Sequence, residues 1–177
     1  MQLLYPTVIS NEQIGNDFLR LRFTWVGEAP LPGQFLTVRS SEGTAPLLRR
    51  PFAFSNFTDN TAEILYQKRG QATGLLTRLR AGDTFDALGP LGNTFPLDSK
   101  NALVTAGGIG LGPVLFYLEY LLGKGAACTG AAGFRSASLV PDFLKDDSRE
   151  LHICTDDGTL GFKGNPVQFI EQNVADF

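Results

Sequence analysis

Leu48-Arg49-Arg50-Pro51-Phe52-Ala53-Phe54-Ser55 is the stretch of this sequence on which the fold turns. It is apolar enough for a strand, yet Pro51 has no N–H to give to a ladder. Such a strand belongs at a sheet edge, or beside something that is not a strand. Arg50, immediately before the proline, supplies a planar and permanently charged fork suited to phosphate. These residues alone admit two readings: an edge strand with a solvated arginine pair, or a strand with a phosphate-bearing ligand laid along it.

Outward from this segment, residues 1–97 read as β. Phe18 to Trp25 alternates apolar with polar, the period of a half-buried antiparallel strand. Gly33 to Arg39 and Ala62 to Lys68 continue the theme. Turn signals punctuate them at Pro30–Gly33, Asp59-Asn60, Ala81–Asp83 and Gly89–Gly92, the grammar of an antiparallel barrel or sandwich. One segment departs from it. Thr73 to Arg80 spaces Leu75, Leu76 and Leu79 as a helix does, with arginines in its last turn and Gly82 beyond. Tyr66-Gln67-Lys68-Arg69-Gly70-Gln71-Ala72-Thr73-Gly74 therefore runs from a strand into a helix start. It is either a plain capped helix or a place where the amides of Ala72, Thr73 and Gly74 meet a pyrophosphate.

From Asp98 onward the pattern changes, dividing the chain into 1–97 and 98–177. Asn101 to Ala106 is a short apolar strand, Gly107-Gly108-Ile109-Gly110-Leu111-Gly112 a glycine-rich turn, and Pro113 to Leu122 a helix ended by Gly123. Ala126–Ala132 and Glu150–Thr155 make two more strands, and Pro166 opens a last helix, Val167 to Val174. Strands alternating with helices predict a parallel α/β lobe. A glycine turn after the first strand lets a ligand approach the backbone at the mouth of the sheet. Pro113 stands where a dinucleotide fingerprint would carry its third glycine, and Arg135, not a carboxylate, lies near the end of the second strand.

Composition narrows the classes. The 177 residues are 43% hydrophobic and 19% charged with net charge −3, which points away from a nucleic-acid surface. No apolar run approaches a membrane span and no leader is recognisable, so the expected compartment is the cytoplasm. Two cysteines, Cys128 and Cys154, are too few for a thiolate metal site and read as buried thiols. Thr155-Asp156-Asp157-Gly158 reads as a turn rather than a pair of catalytic carboxylates, and His152 as a structural strand residue. Trp25 reads as barrel packing, and Tyr117 and Tyr120 as marks of a helix interface.

In this order, the three segments resemble the ferredoxin-reductase superfamily, which pairs a flavin-binding β-barrel with a nicotinamide-nucleotide lobe. Within it they are most similar to the electron-transfer subunits of NAD-linked dihydroorotate dehydrogenases. The features that carry the resemblance are Arg49-Arg50 before Pro51, the run from Ala81-Gly82-Asp83 to Leu88-Gly89-Pro90-Leu91-Gly92-Asn93, and Thr155–Gly158 followed by Gly161-Phe162-Lys163-Gly164. The resemblance implies that Arg50 pairs with the phosphates of FAD while Pro51, Phe52 and Ala53 line the flavin ring. It further implies that Leu65, Tyr66 and Gln67 form the neighbouring strand, and that Gly70, Ala72 and Thr73 lie at the pyrophosphate. Gly107, Gly108, Gly110 and Pro113 would face the nicotinamide of NAD(H). Such subunits pass electrons through a [2Fe–2S] cluster to a dihydroorotate dehydrogenase catalytic subunit in pyrimidine biosynthesis. The residues leave two alternatives open, a free-standing NAD(P)H:flavin or ferredoxin reductase and a flavin-binding assembly module with little catalysis.

Two departures stand out. Ala53 occupies a position where the family usually has Ser or Thr. The family's fourth strand with its Cys-Gly-Pro motif, and the cysteine cluster that ligates iron and sulfur, are not found in these residues. The expectation is a truncated or shortened subunit whose first lobe strand, Ala102 to Ala106, is left with an open apolar edge.

Overall fold

The computed structural model describes every residue except Asp17, Ser41, Glu42, Thr44, 146–150 and 174–177. Glu150 and Val174, expected as the ends of a strand and a helix, therefore lie outside the described residues. In chain order the first elements are β1 (Gln2–Leu4), β2 (Val8–Gln13), β3 (Phe18–Thr24), β4 (Phe35–Arg39), β5 (Arg50–Thr58), β6 (Thr61–Gln67), α1 (Gln71–Leu76) and β7 (Asp86–Leu91).

The seven strands form one antiparallel sheet in the order β1-β7-β4-β5-β6-β3-β2. Its two outer strands, β1 and β2, are consecutive in the chain, so the sheet must curl until its edges approach. The closure is held by the Thr7–Thr84 bridge, by Val8 N–H donating to Asp83 O at 2.8 Å and by Gly82 N–H donating to Val8 O at 2.9 Å. Inside, Phe23, Trp25, Phe54 and Phe85 meet edge to face, surrounded by Leu21, Leu36, Val38 and Ile64. Burial of each such side chain stabilises the fold by roughly 1.5–3 kcal/mol. Trp25 is fully buried and donates its indole N–H to Glu28 O, the packing role its sequence context predicts.

The second set of elements is β8 (Asn101–Gly107), α2 (Leu111–Gly123), β9 (Ala127–Phe134), α3 (Asp142–Lys145), β10 (Leu151–Thr155), β11 (Phe162–Lys163) and α4 (Pro166–Asn173). Its four strands are parallel in the order β11-β10-β9-β8. Among the described residues β8 is an outer strand, the position expected for it, and the alternating exposure of Asn101, Leu103 and Thr105 marks one face of it as uncovered. Helix α2 joins the two halves. It sends Phe116 into the barrel core, Leu111 and Leu115 into a cluster with Phe18 and Leu65 of the barrel, and Leu118 and Leu121 onto β9. Gly112 sits at this contact, where a Cβ would lie 3.4 Å from Ser55 Cβ and 3.5 Å from Leu65 Cβ, room for a methyl group and little more. Tyr117 is buried at the same junction, its hydroxyl donating to Pro96 O at 2.6 Å.

The helix expected over Thr73–Arg80 runs instead over Gln71–Leu76. Thr73 Oγ1 accepts hydrogen bonds from the amides of Arg69 (2.8 Å) and Gly70 (3.2 Å), which starts the helix two residues early. Beyond Leu76, the amides of Arg78 and Leu79 reach back only three residues, to Leu75 O and Leu76 O, and the helix tightens and stops. Arg78 and Arg80 therefore lie outside it. Strand β4 begins at Phe35 rather than Gly33, whose φ of +97° makes it part of a turn. Residues Asp156–Gly158 do form a turn: Gly158 N–H donates to Thr155 O at 3.1 Å, and Thr159 holds Asp157 Oδ1 from both its hydroxyl and its amide.

Candidate flavin cleft and its neighbour

Strands β5 and β6 pair from Thr58–Thr61 up to Phe54–Ile64, with a bulge between Phe54 and Asn56. Beyond that point they separate. Arg50 to Ala53 pair with β4, and Leu65 to Gln67 pair with β3. A cleft of about 390 Å³ opens where the strands part, lined by Pro51, Phe52 and Ala53 on one side and Leu65, Tyr66 and Gln67 on the other. Phe54 donates its amide to Gln34 O on the β4 side at 3.2 Å. Alternation along an antiparallel strand turns the amide of Ala53 the other way, toward the cleft. Pro51 has the same parity and no N–H to leave unpaired, which explains why a proline is tolerated here.

The two arginines divide their roles. Arg49 Nη2 donates to both carboxylate oxygens of Asp86, at 2.7 and 2.8 Å, and is part of the barrel's fabric. Arg50 Nη1 donates to backbone carbonyls of its own loop, Leu48 O at 2.9 Å and Arg49 O at 3.4 Å. Tyr66 is 1% exposed, stacks edge-on against Phe52 and donates its hydroxyl to Asn11 Oδ1 at 2.9 Å. Burial pushes the Tyr66 phenol above its usual range, and the hydrogen bond with Asn11 only partly offsets this. Its phenol is thus a wall and not an acid.

At α1 the expected phosphate ligands separate. Thr73 lines the cleft, but its hydroxyl already accepts from Arg69 and Gly70 and donates to Gly70 O at 3.2 Å. The Ala72 side chain is buried and the residue does not line the cleft, so it can offer only backbone. Gly70 has nothing within 4 Å of a would-be Cβ, leaving its backbone accessible. The amides of Gln71, Ala72 and Thr73 precede the first full helical bond, Gly74 N–H to Gly70 O.

The glycine turn after β8 serves two clefts rather than one. Ile109, Gly110 and Pro113 close the far wall of the β5–β6 cleft. Gly107 and Gly108 instead border a second cleft of about 480 Å³ at the carboxyl ends of the parallel strands, with Phe134, Arg135, Asp156 and Pro166. Gly108 has φ +51°, and a Cβ on Gly107, Gly108 or Gly110 would meet only open space. Gln67 and Arg69 border both clefts. Neither Arg69 nor Ile109 stood out in the sequence; their placement depends on how the lobes meet. Only the position of Arg69 just before the glycine at the helix start could have drawn attention to it.

Behind the cleft lies a polar network. Ser55 Oγ donates to Glu63 Oε1 at 2.9 Å, and Asn56 Nδ2 donates to Glu119 Oε2 on α2 at 2.9 Å. Burial pushes the Glu63 carboxyl above its ordinary value, against the lowering influence of the Ser55 hydrogen bond and of Arg20.

The first cleft fits a flavin: an apolar slot between parted strands, an inward amide at Ala53 and a cation at Arg69, whereas Arg50, Gly70 and Ala72 are not among the residues that line it. The second fits a nucleotide, with its bare glycines and mixed polar rim. The described residues offer no ligand set for an iron–sulfur cluster. Cys128 and Cys154 are buried on separate strands, and no group of three or more His, Cys, Asp or Glu able to hold a metal occurs among the described residues. No helix among the described residues is long and apolar enough to cross a membrane.

A parted antiparallel barrel facing the mouth of a parallel sheet is a ferredoxin-reductase-like fold. Among solved structures, the NADH-dependent reduced ferredoxin-NADP oxidoreductase has this fold at TM-score 0.83, with 23% identity over 98% of this chain and 64% of its own. No protein-family model matches the sequence. The chain belongs to the family of electron transfer subunits of dihydroorotate dehydrogenase B (NAD(+)). The subunit from Geobacillus sp. (strain WCH70) is 35% identical over 97% of this chain and 70% of its own length. That from Caldanaerobacter subterraneus subsp. tengcongensis is 33% identical over 96% and 67%.

Proposed function

We propose that this chain binds FAD in the β5–β6 cleft and carries electrons between NAD(H) and a dihydroorotate dehydrogenase catalytic subunit, in the cytoplasm, as part of pyrimidine biosynthesis. The observation that carries the proposal is the parting of β5 from β6, which leaves a slot with Pro51, Phe52 and Ala53 facing Leu65, Tyr66 and Gln67. Residues 1–97 hold the flavin and 98–177 the nicotinamide nucleotide.

When bound, the flavin supplies two-electron exchange with nicotinamide and one-electron release to an acceptor. The chain's own residues bind and orient. Arg50 swings from its loop carbonyls to the flavin phosphates, a charge-assisted contact stronger than those it leaves. The Ala53 amide addresses the ring edge, and the backbone at Gly70 and Ala72, with Thr73 beside it, addresses the pyrophosphate. Gly110 and Pro113 stand across the slot, where they would face the nicotinamide. Gly107 and Gly108 receive the rest of that nucleotide.

The test uses purified protein and its partner. FAD should be released on denaturation, NADH should bleach the bound flavin, and a dihydroorotate dehydrogenase catalytic subunit should co-purify. Protein that binds FAD but is not reduced by NADH would be a flavin module without electron transfer from nicotinamide, contrary to the proposal.

A further inference from the structure

We propose that Arg69 is a positioning residue that sets the second-cleft nucleotide in register with the flavin, its guanidinium pairing with the diphosphate of an ADP-ribosyl group. This rests on the proposal above that the second cleft takes the nicotinamide dinucleotide. Arg69 is a cation common to both clefts, and it belongs to the barrel although the second cleft lies at the mouth of the other lobe's sheet.

Its setting fits that task. Its amide is tied to Thr73 Oγ1 at 2.8 Å, which fixes the backbone, while its side chain is exposed. Gln67 Oε1, on the wall shared by the two clefts, accepts from Arg69 Nε at 3.4 Å and Nη2 at 3.1 Å. The charged residues of the second cleft are Arg69, Arg135 and Asp156, a positive balance that favours an anion. Arg69 comes from the barrel and Arg135 from the end of β9, so an anionic ligand meets cations from both lobes. A planar guanidinium pairs two-pronged with phosphate oxygens, which confers orientation as well as affinity. Through Arg69, the lobe that holds the flavin would itself fix where the second nucleotide stops.

The experiment titrates FAD-loaded protein with ADP-ribose by calorimetry, in wild type, Arg69→Gln and Arg69→Lys, at low and moderate salt. R69Q should weaken ADP-ribose binding about tenfold or more, the span of a charged hydrogen bond. It should also flatten the salt dependence and raise KM for NADH more than it lowers kcat. R69K should recover part of the affinity. If wild type does not bind ADP-ribose, the dinucleotide reading of the cleft falls, and this proposal with it. If wild type binds and R69Q binds equally well, or if R69Q sheds FAD while keeping ADP-ribose, the reading of the cleft stands and the role of Arg69 is overturned.

Discussion

Arg49 and Arg50 are adjacent in sequence and opposite in use: Arg49 Nη2 grips both oxygens of Asp86 at 2.7 and 2.8 Å, while Arg50 Nη1 donates to the carbonyls of Leu48 and Arg49 in its own loop. Arg49 is thus bound into the barrel, and Arg50 is proposed to serve the flavin phosphates.

Replacement should separate the two roles. Arg49→Ala should cost about 1 kcal/mol of stability, the scale of a partly buried ion pair, and leave FAD affinity near wild type. Arg50→Ala should do the reverse, weakening FAD binding by about 1.5–3 kcal/mol with little change in urea midpoint. Urea denaturation alongside FAD titration of both variants checks this; equal loss of FAD affinity would contradict the division.

Ala53 invites a gain-of-contact variant. A serine there adds a hydroxyl to a slot-lining position without filling a packed core. Ala53→Ser should tighten FAD by about 0.5–1.5 kcal/mol and shift the flavin absorption band. Unchanged affinity and spectrum would mean that the ring does not lie against this residue.

Gly112 lies where α2 packs on the barrel. With a Cβ already 3.4 Å from Ser55 Cβ, alanine would be nearly tolerated, whereas the branched Gly112→Val should cost about 1–3 kcal/mol by overpacking. Thermal unfolding of the two variants side by side measures the difference, and a valine variant as stable as wild type would show that the lobes can part without cost.

Glu63 gives a pH signature. Its folded-state carboxyl lies above the ordinary 4.5 because of burial, with Arg20, Arg22 and Ser55 pulling it down and Glu119 pushing it up. A raised folded value means that its contribution to stability is fully present below 4.5 and is lost as pH rises through the folded value. Glu63→Gln cannot ionise and can still accept from Ser55. Urea midpoints should therefore show the variant gaining on wild type at neutral pH, with the gain shrinking in acid. A gain independent of pH would point to packing instead of charge.

Much of this was legible in the sequence because it depends on local chemistry. Pro51 after Arg50 signalled a strand without a full partner, and the strand does part from its neighbour there. The glycines from Gly107 to Gly112 announced a turn between a parallel strand and a helix. What stayed hidden is tertiary. Arg49 meets Asp86 across 37 positions, and nothing in either neighbourhood advertises the pair. The division of the glycine turn between two clefts, and the place of Arg69 between them, exist only once the lobes dock. Helix α1 was misplaced because its leucine spacing extends to Leu79, whereas the hydroxyl of Thr73 and the tightening after Leu76 set its ends. Strand β11, two residues long, is too short to show any period.

The most direct test of the central claim is equilibrium titration of the flavin-free protein with FAD, followed by flavin fluorescence, in wild type and in Ala53→Trp, which would fill the slot from the β5 side at a half-buried lining position. The account predicts one FAD per chain for wild type, with binding lost or greatly weakened in the folded tryptophan variant. Wild-type protein that cannot be reconstituted with FAD, or a filled slot that binds it undiminished, would contradict the account.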